Sequence, residues 1–217
     1  MEYRVTVLAT VIGERVRRER GARGWTLDQL ADEAGVSRRA LVNVEQGSAN
    51  PSVATLLRLS DALGIGLPAL VEPPATTPVK VTRQGEGAVL WQGEHGGRGV
   101  LVAGSAPPDV LELWDWTLAP GERHDSEAHA SGTHEALQVL TGTITLEIAG
   151  ENIVLEAGDA ISFPGDEAHS YANPGAASAR FALTVFEPGV GSKAGPASRL
   201  EGSPAAASHR NAEDEGA

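Results

Sequence analysis

Apolar residues in the first third of the 217-residue chain recur every three or four positions, the spacing of helices with one buried face. Residues 26–47 contain two such runs, and each begins after a residue that can cap a helix, Thr26 and Ser37. Gly35 lies between the runs, where a left-handed backbone can turn the chain sharply. The pattern therefore predicts two short helices joined by a tight turn.

The flanking segments extend the helical pattern on both sides. Residues 11–23 form a basic run with its apolar positions and the stem of Arg20 toward a core. A capped helix is predicted over residues 52–63, and a short last helix near residues 68–71. Five helices within residues 8–72 are the size of a small DNA-binding head.

The second linked helix presents polar residues at the start of its outward face. Arg38, Arg39 and Asn43 are side-chain types that pair with guanine and adenine edges in a major groove. We expect these three residues to contact bases. The residues expected to contact phosphates are Arg17, Gln29 and Ser37.

Residues 11–71 resemble the DNA-binding domain of phage repressors, the XRE-type helix-turn-helix family. The resemblance implies an ion pair between Arg20 and Glu45. It also implies a homodimer that inserts recognition helices into major grooves about one helical turn apart. The alternative is a helical packing module that no longer binds DNA. The matching positions are Arg20, Ala31, Gly35, Glu45, Gly47, Asn50, Pro51 and Ser52.

The pattern of apolar residues changes after a proline-rich linker at residues 73–84. Short alternating apolar runs separated by Gly and Pro predict an all-β barrel or sandwich over residues 85–188. The tail, residues 189–217, has no periodic apolar pattern and is predicted to be disordered. Candidate strands are residues 79–83, 88–92, 99–103, 111–118, 135–140, 143–149, 152–156, 160–163, 168–172 and 180–186.

Two stretches of the β part, residues 121–142 and 158–173, resemble the two signature motifs of the cupin family. The resemblance covers about residues 85–187 and implies a double-stranded jelly-roll barrel. Ser131 stands where the family usually has a second histidine, and Asp166 stands where it usually has a glycine. The matching residues are His129, Glu135, Gly142, Gly158, Pro164, His169 and Asn173.

The histidines and carboxylate of these motifs could share one cavity. Alternate residues of a strand face the same way, so His129 and Ser131 are expected to project together, with Glu135 and His169 arriving from other strands. Two imidazoles and a carboxylate suit a divalent Zn, Fe, Mn or Ni ion. A hydrogen-bonded polar cluster without metal is the alternative. Candidates for a fourth ligand are Glu127, His124 and His134, of which His134 should face away.

Aromatic residues could complete this pocket. Trp114 and Trp116 have the same strand parity as Glu112, and Tyr171 has the parity of His169. The tryptophans could form a barrel wall, a dimer contact or a surface that stacks on a flat ligand. The predicted effector pocket therefore contains His129, Ser131, Glu135, His169, Tyr171, Trp114 and Trp116.

Composition and charge limit the cellular location and the kinds of site that the protein can have. The absence of cysteine excludes disulfides and thiolate metal sites, and no apolar run approaches the roughly 20 residues of a membrane span, so we expect a cytoplasmic protein. The net charge of −12 resides wholly in residues 76–217, whereas residues 1–75 are neutral overall. A cluster of arginines in residues 11–23 can therefore meet phosphates while the acidic part points away from DNA.

Together these features predict an α + β two-domain protein. It would have an N-terminal five-helix DNA-binding bundle with a helix-turn-helix and a C-terminal all-β double-stranded jelly-roll (cupin) barrel. The predicted function is a transcriptional regulator, not an enzyme, whose barrel senses a small-molecule effector. One alternative is a metal-dependent dioxygenase or isomerase with an accessory head, and another is an antitoxin-like partner protein. The sequence does not discriminate among small carboxylates, amino acids, sulfur metabolites and sugars as the effector.

Overall fold

A computed structural model describes residues 2–48, 51–72 and 79–191 of the chain. Its N-terminal head consists of α1 (Glu2–Ala22), α2 (Leu27–Glu33), α3 (Arg38–Glu45), α4 (Val53–Leu63) and α5 (Gly66–Val71). The five predicted helices are thus confirmed. Asn50 of the repressor-like motif, linker residues 73–78 and tail residues 192–217 lie outside the described residues.

Ten strands follow the head and form the β domain. They pair antiparallel in a six-stranded sheet, β1-β2-β3-β10-β5-β8, and a four-stranded sheet, β4-β9-β6-β7. The strands are β1 (Ala88–Gln92), β2 (Arg98–Gly104), β3 (Val110–Leu118), β4 (Arg123–Ser126), β5 (His134–Thr141), β6 (Thr143–Ile148), β7 (Glu151–Glu156), β8 (Ala160–Pro164), β9 (His169–Ala172) and β10 (Ala179–Glu187).

Local hydrogen bonds explain the sharp turn between α2 and α3. Thr26 and Gln29 form a reciprocal capping box at the start of α2, and the Ser37 hydroxyl accepts from the Ala40 amide at the start of α3. Gly35 adopts a φ of 60° between the helices, a conformation that costs glycine little. These caps and the turn confirm the predicted helix-turn-helix.

Helix α1 begins at Glu2, nine residues before the predicted start. The prediction was short because the apolar stripe of Ile12 and Val16 continues back to Leu8, which also packs against the core. None of the described helices is long and apolar enough to cross a membrane.

Nine of the ten candidate strands are confirmed to within two residues at each end. The candidate at residues 79–83 is wrong, because Val79 and Val81 are 73% and 59% exposed and this segment forms no strand. Alternation there does not reflect a buried face. Conversely, β4 was missed, since its sequence RHDS has no apolar residue to signal it.

The inner faces of the two sheets pack together, and the head rests on one end of the larger sheet. Alternate residues of β3 and β10 are buried between the sheets, with rings of Trp116, Tyr171 and Phe181 in mutual contact. Helix α5 approaches so closely that a Cβ atom on Gly104 would lie 2.1 Å from the Pro68 ring. The head and the β domain are therefore in direct contact.

A partly buried ion pair ties α1 to α3. Arg20 donates to both carboxylate oxygens of Glu45, Nε to Oε1 at 2.6 Å and Nη2 to Oε2 at 2.9 Å. A third bond runs from the same guanidinium to the Trp25 carbonyl. The side chain of Glu45 is only 5% exposed, so Arg20 supplies the hydrogen bonds that its buried carboxylate would otherwise make to water. The pairing expected from the repressor-like sequence is confirmed.

We expect Glu45→Ala to lower the free energy of unfolding by about 3 kcal/mol, because it leaves the Arg20 charge partly buried without a carboxylate. Chemical denaturation of the whole protein measures the effect. Glu33→Ala on the exposed side of α2 is the control and should change stability by less than about 0.5 kcal/mol. Equal stability of both variants would contradict the structural role of this pair.

Candidate nucleic-acid interface and ligand cavity

Helix α3 presents the residues expected to contact bases. Arg38 and Arg39 are exposed in its first turn, and Asn43 is half-buried one turn later. Arg38 Nε lies 2.9 Å from Asp28 Oδ1, and both side chains are more than half exposed. Such a surface ion pair contributes little to stability, so Arg38 can exchange it for another acceptor at small cost.

The three expected phosphate contacts have local partners. The Ser37 hydroxyl is used as the cap of α3, and the Gln29 carboxamide oxygen accepts from the Thr26 amide at 2.8 Å. Arg17 Nη2 donates to the Glu45 carbonyl at 2.9 Å, which holds this guanidinium beside the end of α3. These bonds fix the three side chains around α3 and leave the side chain of Arg17 58% exposed.

In the β domain, His129, Glu135 and His169 converge. His129 Nε2 lies 2.9 Å from Glu135 Oε1, and His169 Nε2 lies 3.4 Å from the same oxygen. One nitrogen or oxygen from each residue lies within 4.8 Å of the others. Across residues 2–48, 51–72 and 79–191, no other group of three such side chains converges in this way. The sequence thus identified all three members.

Hydrogen bonds around the triad favour a metal-binding form of His169. Its Nδ1 lies 2.8 Å from the Glu167 carbonyl, which can only accept, so the proton is on Nδ1. The Nε2 atom is buried, faces Glu135 and makes no hydrogen bond with the described residues. Burial lowers the pKa of His169, but Glu135 outweighs burial and raises it, so the ring would offer its Nε2 lone pair to a cation only after losing the Nε2 proton.

Glu135 is ionised at neutral pH. Burial by itself would raise its pKa, but the neighbouring rings of His129 and His169 lower the pKa to about 2. The hydroxyl of Tyr171 donates to Glu135 Oε2, while burial and that carboxylate raise the pKa of Tyr171 and keep its hydroxyl protonated. The triad therefore carries a buried negative charge that a bound cation would compensate.

The expected strand geometry around His129 is wrong. His129 and Ser131 lie in the loop between β4 and β5, and Ser131 is exposed in a turn that closes with a bond from the Thr133 amide to the Ala130 carbonyl. Gly132, at a φ of 86°, completes this turn. Ser131 consequently lines neither of the two cavities described below. His129 reaches the triad because its amide bonds to the Gly165 carbonyl.

None of the three candidates for a fourth ligand joins the triad. His134 is exposed, as expected for the neighbour of Glu135 on a strand. Glu127 is exposed and pairs with Arg58 of α4. His124 lies beside Trp116, with ring centroids 4.7 Å apart, and burial lowers its pKa to about 4. None of them completes a set of four with the triad.

An inner cavity lies between the triad and an aromatic wall. Trp114 and Trp116 are almost fully buried and stack with centroids 5.7 Å apart, and both line this cavity beside Glu135 and Tyr171. The shared face predicted for Glu112 and the two tryptophans is present, because alternate residues of β3 point inward. Six of the seven residues predicted for the pocket thus line this cavity or contact its triad.

Helix α4 of the head forms the other wall, which sequence reasoning missed. Val53 and Leu57 line both the inner cavity and a wider outer cavity of about 530 Å³, and Asp61 lines the outer one. These residues are spaced by four and so share one helix face. In the sequence, Val53 and Leu57 form a second apolar stripe on α4, beside the stripe that is buried within the head. The sequence pattern does not say which part of the protein covers this second stripe.

Two acidic residues that line these cavities are buried, Glu112 at the inner one and Glu187 at the outer one. Glu112 and Glu187 are 1% and 2% exposed. Trp114 Nε1 donates to Glu112 Oε2 at 2.8 Å, but Glu112 Oε1 and Glu187 Oε2 make no hydrogen bond with any described residue. Burial and then the charge of Glu187 raise the pKa of Glu112 to about 8; burial and then the charge of Asp61 raise that of Glu187 to about 7.

These raised pKa values predict a loss of stability with rising pH. The folded protein keeps protons on Glu112 and Glu187 that the unfolded chain releases above about pH 4.5, so the free energy of unfolding should fall between about pH 5 and pH 8. Glu112→Gln, which keeps an acceptor for Trp114, should lose less stability over this range. Thermal unfolding at several pH values measures it, with Glu151→Gln on exposed β7 as the control. Identical pH profiles in all three proteins would contradict the burial of Glu112.

Comparison with known proteins agrees with this two-part architecture. Residues 16–70 match the family model described as helix-turn-helix, and residues 114–186 match the model described as a cupin domain. A crystal structure of an HTH_3 family transcriptional regulator from Vibrio cholerae superposes with a TM-score of 0.64 at 24% identity. The match covers 85% of this chain and 99% of that structure, which shows that the fold is shared over this part of the chain.

Curated relatives of this chain are named as transcriptional regulators. The HTH-type transcriptional regulator SutR of Escherichia coli (strain K12) is 27% identical over 182 residues, which are 83% of this chain and 97% of SutR. The HTH-type transcriptional regulator SinR of Bacillus licheniformis is 32% identical over 107 residues, 49% of this chain and 91% of SinR. The chain therefore belongs to the XRE-type helix-turn-helix transcriptional regulators and carries a cupin domain behind its DNA-binding head.

Proposed function

We propose that this regulator changes its DNA binding when a small-molecule effector occupies the cavity between α4 and the β domain. The observation that carries the proposal is the shared wall: Val53 and Leu57 of the head line the same inner cavity as Trp114 and Glu135 of the β domain. An occupant of the cavity would touch both parts of the protein. It would bias DNA binding if it binds two arrangements of head and β domain with different affinities.

The DNA-binding mode follows the chemistry of α3. Arg38, Arg39 and Asn43 would contact base edges, while Arg17, Gln29 and Ser37 would contact the backbone. As a homodimer, the protein would place two such helices in major grooves about one turn apart. The neutral balance of residues 1–75, against −12 for the rest, supports an orientation with the β domain away from DNA.

The domain limits that fit this function are a head at residues 8–72, a linker at 73–84, a β domain at 85–188 and a tail at 189–217. We interpret the β domain as a double-stranded jelly roll, because two antiparallel sheets bury a common core between them. A regulator of chromosomal genes would act in the cytoplasm.

The triad His129, Glu135 and His169 fits a divalent ion such as Zn, Fe, Mn or Ni. Two imidazoles and an ionised carboxylate on one side of an ion leave positions open for water or an effector. An ion held there would act as a Lewis acid toward a bound ligand. The enzyme alternative requires turnover of a substrate at this ion; the relatives SutR and SinR are named as regulators, which favours a sensing role.

We expect Arg38→Ala to weaken binding to the preferred operator by about 1–3 kcal/mol and to relax base preference at one position, because a bidentate base contact is lost. Operator fragments selected from genomic DNA and titrated by fluorescence anisotropy measure this. The control is Arg98→Ala, at an exposed position of β2. It removes one positive charge far from α3 in the sequence and should bind like the wild type. Wild-type affinity and specificity in Arg38→Ala would remove Arg38 from the interface.

His169→Ala is expected to reduce the affinity for Zn²⁺ or Mn²⁺ at least tenfold, because it removes one of three converging ligands. Isothermal titration of the metal-stripped protein with each ion measures this. His134→Ala is the matched control, since its ring is exposed beside Glu135. A wild-type protein that takes up neither ion, or a His169→Ala variant with unchanged affinity, would show that the triad is a hydrogen-bonded cluster.

A further inference from the structure

The outer cavity has an excess of negative charge after its ion pairs are counted. Among the described residues that line it, the two arginines already have carboxylate partners: Arg58 pairs with Glu127, and Arg123 pairs with Asp125 and Glu147. The remaining acidic lining residues are Glu187 and, at the exposed rim, Asp61. A cationic ligand would therefore find acidic partners here that neither of the two lining arginines occupies.

Buried carboxyl oxygens point to the same conclusion from deeper in the cavity. Glu112 lines the inner cavity, is 1% exposed and has an Oε1 atom without a hydrogen-bond partner among the described residues. Glu187 lines the outer cavity, and its Oε2 atom also has no hydrogen-bond partner among the described residues. Buried polar atoms are nearly always satisfied in folded proteins, so two unsatisfied carboxyl oxygens beside adjoining cavities, which share Val53 and Leu57 as lining residues, indicate a missing donor. Burial is the main cause that raises the pKa of both groups, and a cation beside them would lower both values.

The missing partner is an organic cation and not a second metal ion. A metal needs several ligand atoms close together, and the converging set of three found among the described residues contains neither Glu112 nor Glu187. Separated carboxyl oxygens instead suit an ammonium group, whose three N–H donors point in different directions. Next to Glu112 lie the faces of Trp114 and Trp116, surfaces that attract cations and apolar chains.

From this geometry we infer that the effector of the proposed regulator is a small organic cation, whose ammonium group donates hydrogen bonds to Glu112 and Glu187 and whose carbon chain lies along Trp114 and Trp116. The inference rests on the proposed function for its biological meaning and on the cavity for its chemistry. Because Val53 and Leu57 close the cavity from the head side, the same molecule would contact α4.

A matched set of ligands tests the charge requirement. We would titrate the whole protein, in an amine-free buffer at pH 7, with pentan-1-amine, pentan-1-ol and pentanoate, which share a chain and differ in charge. The amine should bind at least tenfold more tightly than the alcohol or the carboxylate. Glu112→Gln and Glu187→Gln should each lower amine affinity about tenfold or more, because a charge-assisted hydrogen bond is lost. Glu151→Gln on exposed β7 should bind like the wild type.

The outcomes separate this inference from the proposed function. Equal or tighter binding of the alcohol or carboxylate, no binding of the amine, or unchanged amine affinity in both variants of the buried acids would overturn the cationic site. Thermal unfolding confirms that each variant is folded before titration. Operator affinity is measured in parallel with the amine at saturation. An amine that binds through Glu112 but leaves operator affinity unchanged would contradict effector control while leaving the cation site standing.

Discussion

Helix α4 packs on two sides at once, and the rest of the molecule is organised around this constraint. Leu56, Leu59 and Leu63 are buried within the head, whereas Val53 and Leu57 cover the cavity of the β domain. A helix that fills both places cannot shift toward one without disturbing the other, because protein interiors are closely packed. DNA-binding head and ligand cavity are joined here by side-chain packing, in addition to the linker.

The cavity holds two kinds of buried acid, and their surroundings assign them different chemistry. Glu135 is held ionised by two histidines and Tyr171, and these neighbours fix its geometry. Among the described residues no arginine or lysine pairs with Glu112 or Glu187, and burial raises their pKa values to about 8 and about 7. The adjoining inner and outer cavities therefore present one site suited to a metal ion and, by our inference, one suited to an organic cation.

Sequence patterns predicted the features that depend on local chemistry. Capping at Thr26 and Ser37, the turn at Gly35 and nine strands follow from hydrogen bonds or alternation within a few residues. The failures have a common cause, since they depend on packing between distant segments. Ser131 was placed in the pocket because a strand was assumed where the chain turns. The spacing of Val53 and Leu57 marks a second apolar stripe on α4, but spacing alone does not say that the β domain covers it.

Hydrogen–deuterium exchange of the whole protein, with and without its operator, tests most directly whether α4 links DNA to the cavity. Linkage is reciprocal, so DNA binding must alter the cavity if a ligand there alters DNA binding. The account predicts changed exchange in α2 and α3, in α4, and in the loop at residues 127–130 that carries His129. Changes confined to α2 and α3, with α4 and the loop unaffected, would show that the head binds DNA independently of the β domain.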